Sequence, residues 1–204
     1  MNLREYFDKA PTYEAFREQV VKNQNILDEV HANPNLTSAD LKFFRSITPL
    51  KVLVIGADWC PDVVHTIPRW ARLAEQVPDL AFRIYVKEQV PELMQQHLGP
   101  GNKERIPVYI FLDGNGTRIL YWSGRSRIAD KWLLARRNRR EYPDIPQDER
   151  EQLFQDFRTM YRERFRRENF EEIKDALAVA FGIPFGFHGK MKQRDGERRG
   201  NSTG

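Results

Sequence analysis

The stretch KVLVIGADWCPDVVHTIPRWARLAEQV, residues 51–77, changes its apolar period part-way along, and that change decides the fold. Residues 51–57 are a short continuous apolar run rich in β-branched side chains, the pattern of a central strand covered on both faces. From Pro61 onward, Val64, Ile67, Trp70, Leu73, Ala74 and Val77 recur at spacings of three and four, the mark of a helix with one apolar face. The junction is Asp58-Trp59-Cys60-Pro61, so the one cysteine of the chain falls at the start of that helix. Pro61 suits an early helical position, where its missing N–H is not needed, whereas Pro68 inside the helix is expected to bend it.

Working outward, LAFRIYVK at 80–87 alternates apolar and polar residues and predicts a second strand, parallel to the first through the helical crossover. PELMQQHL predicts a short helix beginning near Pro91. RIPVYIFLDGNGTRILYWSG then predicts two antiparallel strands, because Asp113-Gly114-Asn115-Gly116 tolerates the positive φ of a tight hairpin. Upstream, Leu3, Phe7, Tyr13, Phe16, Val20, Ile26, Leu27 and Val30 indicate one or two amphipathic helices ending before Pro34, and Thr37 or Ser38 caps a further short one. Downstream of Gly124 the chain reads as arginine-rich helices broken near residues 142–146. The expected fold is α/β: a central mixed sheet flanked by helices, with helical extensions at both ends.

Three segments follow: residues 1–48 as helices packing on the core, 49–181 as the main domain with its arginine-rich helices, and 182–204 as a basic tail expected to be mobile. The chain has 204 residues and a net charge of +4 from many charges of both signs, a balance too mild to imply nucleic acid. No apolar stretch approaches the roughly 20 residues needed to span a bilayer, and the first residues lack a secretory apolar run, which predicts a cytoplasmic protein with no membrane partner. One cysteine excludes an intrachain disulfide, and His31, His65, His97 and His188 lack metal-ligand spacing, so no metal is expected.

At a helix start, unpaired amides and the helix dipole stabilise a thiolate, which is why Cys60 is the candidate reactive group. ADWCPDV after an apolar strand, together with Ile106-Pro107 before the next one, resembles the thioredoxin-like superfamily, and the order of elements from Lys51 to Gly124 is similar to its βαβαββ core. The Trp-Cys-Pro-Asp wording resembles a bacterial thioredoxin-like group. The resemblance implies Cys60 as the catalytic thiol, a cis Pro107 facing it, and substrate contacts from Trp59, Pro61, Asp62, Val63, Ile106 and Pro107. It also implies a moderately lowered thiol pKa, opposed by the carboxylate of Asp62.

The chain departs from that pattern at Val63, which occupies the position of the second cysteine, and at Val54, where many relatives carry a buried acid. A dithiol cycle needs the second thiol to release the substrate, so the implied activity is monothiol thiol-disulfide exchange on protein disulfides or oxidised thiols. Its only co-substrate would be glutathione or another small thiol, with no bound cofactor. The alternative is a redox-inactive module that keeps the fold and binds a protein partner through its helical additions. Arginines interleaved with aromatics in KWLLARRNRREY and RERFRR raise nucleic-acid binding, but interspersed acids favour a solvated helix with internal ion pairs. His65, five residues past Cys60, is expected to turn away from the thiol into a solvated or packing position, and His97 to lie at the surface.

Overall fold

The computed structural model describes residues 2–138, 140 and 144–184. The chain enters through short helices: Leu3–Lys9 (α1), Tyr13–Glu18 (α2), Gln24–Ala32 (α3) and Ser38–Ser46 (α4). The region before Pro34 thus holds three helices, one more than periodicity predicts, because local capping restarts the chain. Asn2 accepts from the Glu5 amide and Thr12 from the Ala15 amide, each closing off a new first turn. Thr37 caps α4, with Asp40 returning the bond in a capping box.

Leu50–Gly56 (β1) leads through Pro61–Gln76 (α5) to Leu80–Val86 (β2), and the two strands pair in parallel. Pro91–Gln95 (α6) precedes Val108–Asp113 (β3) and Arg118–Ser123 (β4), which run antiparallel around the turn containing Gly116 at φ 88°. The sheet order is β2-β1-β3-β4. The inner position of β1 explains its continuous apolar run: Val52, Leu53, Val54 and Ile55 are wholly buried between neighbours and covering helices. α5 continues through Pro68, which is itself buried.

Arg127–Arg136 (α7) and Gln147–Met160 (α8) follow, and a π-helical turn at Tyr161–Phe165 joins α8 to Arg166–Ala180 (α9). The expected break near 142–146 lies between α7 and α8, although residues 141–143 are outside the described residues, as is the tail from residue 185. The main core runs from Phe7, Phe16 and Phe44 through β1, β3 and α5 to Phe170, Ile173 and Leu177 of α9. Trp70 sits at its centre, with ring centroids 5.4 Å from Phe44, 5.2 Å from Phe170 and 5.4 Å from Phe111. A second apolar cluster of Ala129, Leu133, Ile145, Leu153, Phe157, Tyr161 and Phe165 belongs to α7, α8 and the π-turn.

The expected solvated arginine face is corrected in part. Arg166 and Lys174 are buried, and Arg167 shares the buried carboxylate of Asp40 with Lys174, tying α9 to α4. Their inward turn is set by acids on distant helices, which a local charge pattern does not reveal. His97 is also buried, its Nδ1 2.9 Å from the Leu93 carbonyl, and not at the surface. Among the described residues no helix is long and apolar enough to cross a membrane.

Candidate functional site

The loop after β1 is fastened from the N-terminal side. Asp58 Oδ2 accepts from the amides of Val21 (2.9 Å) and Lys22 (2.8 Å), and Asn23 Nδ2 donates to the Asp58 carbonyl at 2.8 Å. Beside this loop lies a groove of about 270 Å³, lined mainly by Phe16, Val20, Val21, Val86 and Lys22. Val21 is 88% exposed and Trp59, expected as a substrate contact, is 50% exposed, so apolar surface adjoins the cysteine loop.

Cys60 occupies the N-cap of α5, and its carbonyl accepts from the amides of Val63 and Val64. Its side chain is turned inward: the residue is 7% exposed, and Sγ donates to the Ile106 carbonyl at 3.7 Å. The Ile106-Pro107 bond is cis, and both residues are buried. The structure therefore brings Cys60 to the cis-proline loop. Val63 is wholly buried and packs toward Gly56, where a Cβ would stand 3.0 Å from Val63 Cγ1; the position holds an apolar side chain with no exchange chemistry. Val54 is likewise buried in β1 and pairs in register with Tyr109 of β3.

Burial and the carboxylate of Asp62 push the Cys60 thiol up to about 12, while the amides of Val63 and Asp62 and the charge of Arg125 pull it down without prevailing. This reverses the expectation of a lowered thiol. The helix start supplies its amides as anticipated, but removal of water outweighs them.

Asp62 is the centre of a cluster that sequence reasoning missed. It is 2% exposed, and Arg125 grips its Oδ2 with Nη2 at 2.6 Å and Nε at 3.0 Å, while the Tyr161 hydroxyl donates to Oδ1. Burial raises the Asp62 carboxyl, and the adjacent Arg125 charge and the Tyr161 hydrogen bond oppose that rise. Below it, Thr66 Oγ1 donates to the Asp62 carbonyl at 2.6 Å and receives the Tyr109 hydroxyl at 2.8 Å.

His65 is buried, not solvated. Its ring stacks on Tyr161 at 4.9 Å, and Nδ1 accepts from Arg166 Nη2 (2.9 Å) and Nε (3.2 Å), leaving Nε2 without a partner. Burial, then the charges of Arg166, Arg162 and Arg158, lower its pKa to about 3, so the ring is neutral. Among the described residues no group of three or more His, Cys, Asp or Glu side chains is arranged to hold a metal ion.

A four-stranded mixed sheet with a cysteine at the start of its crossover helix, facing a cis-proline, defines a thioredoxin-fold protein carrying one thiol. A family profile described as thioredoxin matches residues 10–142, and the chain belongs to the thioredoxin family. The match reaches beyond residues 51–124, where the sequence motifs lie, to include α2, α3, α4 and α7. Among solved structures, a protein of unknown function from Pseudomonas aeruginosa is similar at TM-score 0.60 and 19% identity, covering 90% of this chain and 99% of its own. An HIV epitope-scaffold protein is similar at the same score and identity, covering 90% of this chain and 100% of its own. At such identity these neighbours speak for the fold alone. No curated protein matches the sequence.

Proposed function

We propose that this protein is a thioredoxin-fold binding module for protein partners, whose one thiol does not turn over in the arrangement described. The observation that carries this reading is the Cys60 side chain itself: buried, donating to the Ile106 carbonyl, and accompanied at the second cysteine position by Val63. A nucleophilic thiol needs its anion and access to a substrate sulfur, and this one has neither. The surface left for a partner is the apolar groove of Phe16, Val20, Val21 and Val86 with half-exposed Trp59 beside it. In this reading Pro61, Asp62, Ile106 and Pro107 support the cysteine loop and do not contact a substrate.

The second reading is monothiol exchange, favoured by the position of Cys60 opposite cis Pro107. The Cys60 thiolate would attack one sulfur of a partner disulfide, forming a mixed disulfide and expelling the other sulfur as thiolate. Glutathione or another small thiol would then attack the mixed disulfide, releasing the reduced partner and leaving the small thiol on Cys60, or the reverse. A second equivalent of small thiol frees Cys60 in the former case.

The test is ultraviolet absorbance of the thiolate against pH on native protein, with Cys60→Ser as blank, alongside a glutathione-coupled assay on a protein disulfide. The binding-module reading expects no thiolate near neutrality and no turnover. A thiolate midpoint below the free value of about 8.5, or turnover lost in Cys60→Ser, overturns it in favour of monothiol exchange.

A further inference from the structure

The facing sides of α2 and α3 leave between them a groove of about 530 Å³, a volume that takes a small molecule or one long side chain. Its lining brings Tyr13, Glu14, Arg17 and Glu18 of α2 to Asp28 and His31 of α3. The wall thus carries three carboxylates against one guanidinium, and that guanidinium is held by Asp28 at 2.6 Å. Glu14 and Glu18 stand one helical turn apart on the same helix, where like charges repel. Neither carboxylate has an ion pair or hydrogen bond among the described residues. What this wall lacks is a cation.

A second observation, independent of the acids, points to a ligand. Tyr13 is 4% exposed, and its hydroxyl has no hydrogen-bond partner among the described residues. A buried hydroxyl left unbonded costs stability, and phenylalanine would fill the same space without that cost. The ring is well packed: it stacks on His31 with centroids 5.1 Å apart and meets the edge of Phe82 at 6.4 Å. The charges that act most strongly on the hydroxyl are those of Asp28 and Arg17, both on the groove wall, so the O–H lies toward that side of the ring. Burial keeps it protonated well above the ordinary tyrosine range, which leaves a neutral oxygen able to accept a hydrogen bond.

We propose that the groove between α2 and α3 binds a primary ammonium group on a short alkyl stem, held by Glu14, Glu18 and the Tyr13 hydroxyl. The three N–H donors of an ammonium match two carboxylates and one neutral oxygen, and charge-assisted bonds of this kind are the strong ones. The alkyl stem lies along the stacked rings of Tyr13 and His31. A free alkylamine and the lysine side chain of a protein partner present the same chemistry. This inference goes beyond the binding-module reading, because the groove includes neither Cys60 nor the apolar surface of Val21 and Trp59.

The experiment is isothermal titration of the full-length protein at low ionic strength with n-pentylamine, with a blocked lysine-containing peptide, and with tetramethylammonium, a cation without N–H donors. Either amine should bind, and tetramethylammonium at least tenfold more weakly. Tighter binding of pentylamine marks a free amine as the ligand, and tighter binding of the peptide marks a partner's lysine. Tyr13→Phe should weaken binding about fivefold while leaving the unliganded thermal midpoint unchanged or higher, since the bond it removes is unmade without ligand. Glu14→Gln with Glu18→Gln should weaken it about tenfold. No binding of either amine at millimolar concentration overturns the proposal. So does equal binding of tetramethylammonium, or a Tyr13→Phe protein of unaltered affinity, since the groove would then attract cations without a site. None of these readouts involves the thiol, so the amine site and the binding-module reading fail separately.

Discussion

Lys174 Nζ lies 2.6 Å from Oδ1 of Asp40, joining α9 to α4 across 134 residues of sequence with both side chains buried. Arg167 Nη1 takes the other oxygen at 2.7 Å, and the Thr37 amide and hydroxyl complete the shell. Removing the acid leaves the buried Lys174 ammonium with Glu171, 2.9 Å away, as its remaining counter-charge, so Asp40→Ala should cost about 3 kcal/mol in urea unfolding, the low end for breaking a buried pair. Burial alone would raise this carboxyl, but bonds from Arg167 and Lys174 hold it far below the usual carboxylate range. A depressed folded pKa contributes stability above the unfolded value of about 3.9, lost as pH falls below it. The acid limb of the stability curve should therefore be shallower in Asp40→Ala.

His65 supplies a second acid-sensitive contribution at a higher pH. Its folded pKa of about 3 lies below the unfolded value of about 6.5, so the unfolded chain takes up the proton first. Stability from neutral His65 is complete above about pH 7 and declines as pH drops toward 3. Thermal midpoints measured between pH 7 and 4 should fall in the native protein and fall less in His65→Asn. Equal slopes in the two proteins would rule His65 out as the source.

Val63→Cys tests what the missing second thiol means. The position is the third residue of α5, one helical turn from Cys60, and is fully buried. On mild oxidation the variant should lose both free thiols, gain a mass deficit of about two hydrogens and recover on reduction, as a strand-to-helix Cys-X-X-Cys pair does. Persistence of two free thiols would show that the buried geometry at this turn, beyond the absent sulfur, blocks dithiol chemistry.

Trp70→Ala removes the ring around which Phe44, Phe111 and Phe170 gather. Loss of a buried aromatic of this size costs about 3–5 kcal/mol. Because Phe170 belongs to α9, amide exchange in α9 should accelerate together with that in α5. An effect confined to α5 would mean that α9 holds to the sheet without this cluster.

The parts of the fold that rest on short-range chemistry were legible from residues alone. The period change at Pro61, the hairpin at Asp113–Gly116 and the cap at Thr37 each act within a few positions, and each appears where the pattern places it. The meeting of Cys60 with the Ile106-Pro107 loop was legible through resemblance. What escaped reading was made by distant partners: Tyr161 reaches Asp62 over 99 residues and Arg166 reaches His65 over 101. One local signal was available, since Arg166, Phe170, Ile173 and Leu177 fall on a single helical stripe, which marks that arginine as inward-facing. The thiol went the opposite way from expectation because helix-start amides are a property of local sequence, whereas exclusion of water is a property of the whole fold.

The π-turn has a consequence for how the last helices are phased. An α-helix advances about 100° per residue, so the extra residue taken up between Tyr161 and Phe165 offsets all of α9 by about that angle. Tyr161 and Phe165 are thereby directed to the smaller cluster, and Phe170, Ile173 and Leu177 to the sheet. Deleting one residue from this turn would restore the regular period and rotate Arg166 from His65 and Lys174 from Asp40 at a stroke. Residue count there, independent of residue identity, sets the angular alignment on which both interfaces depend.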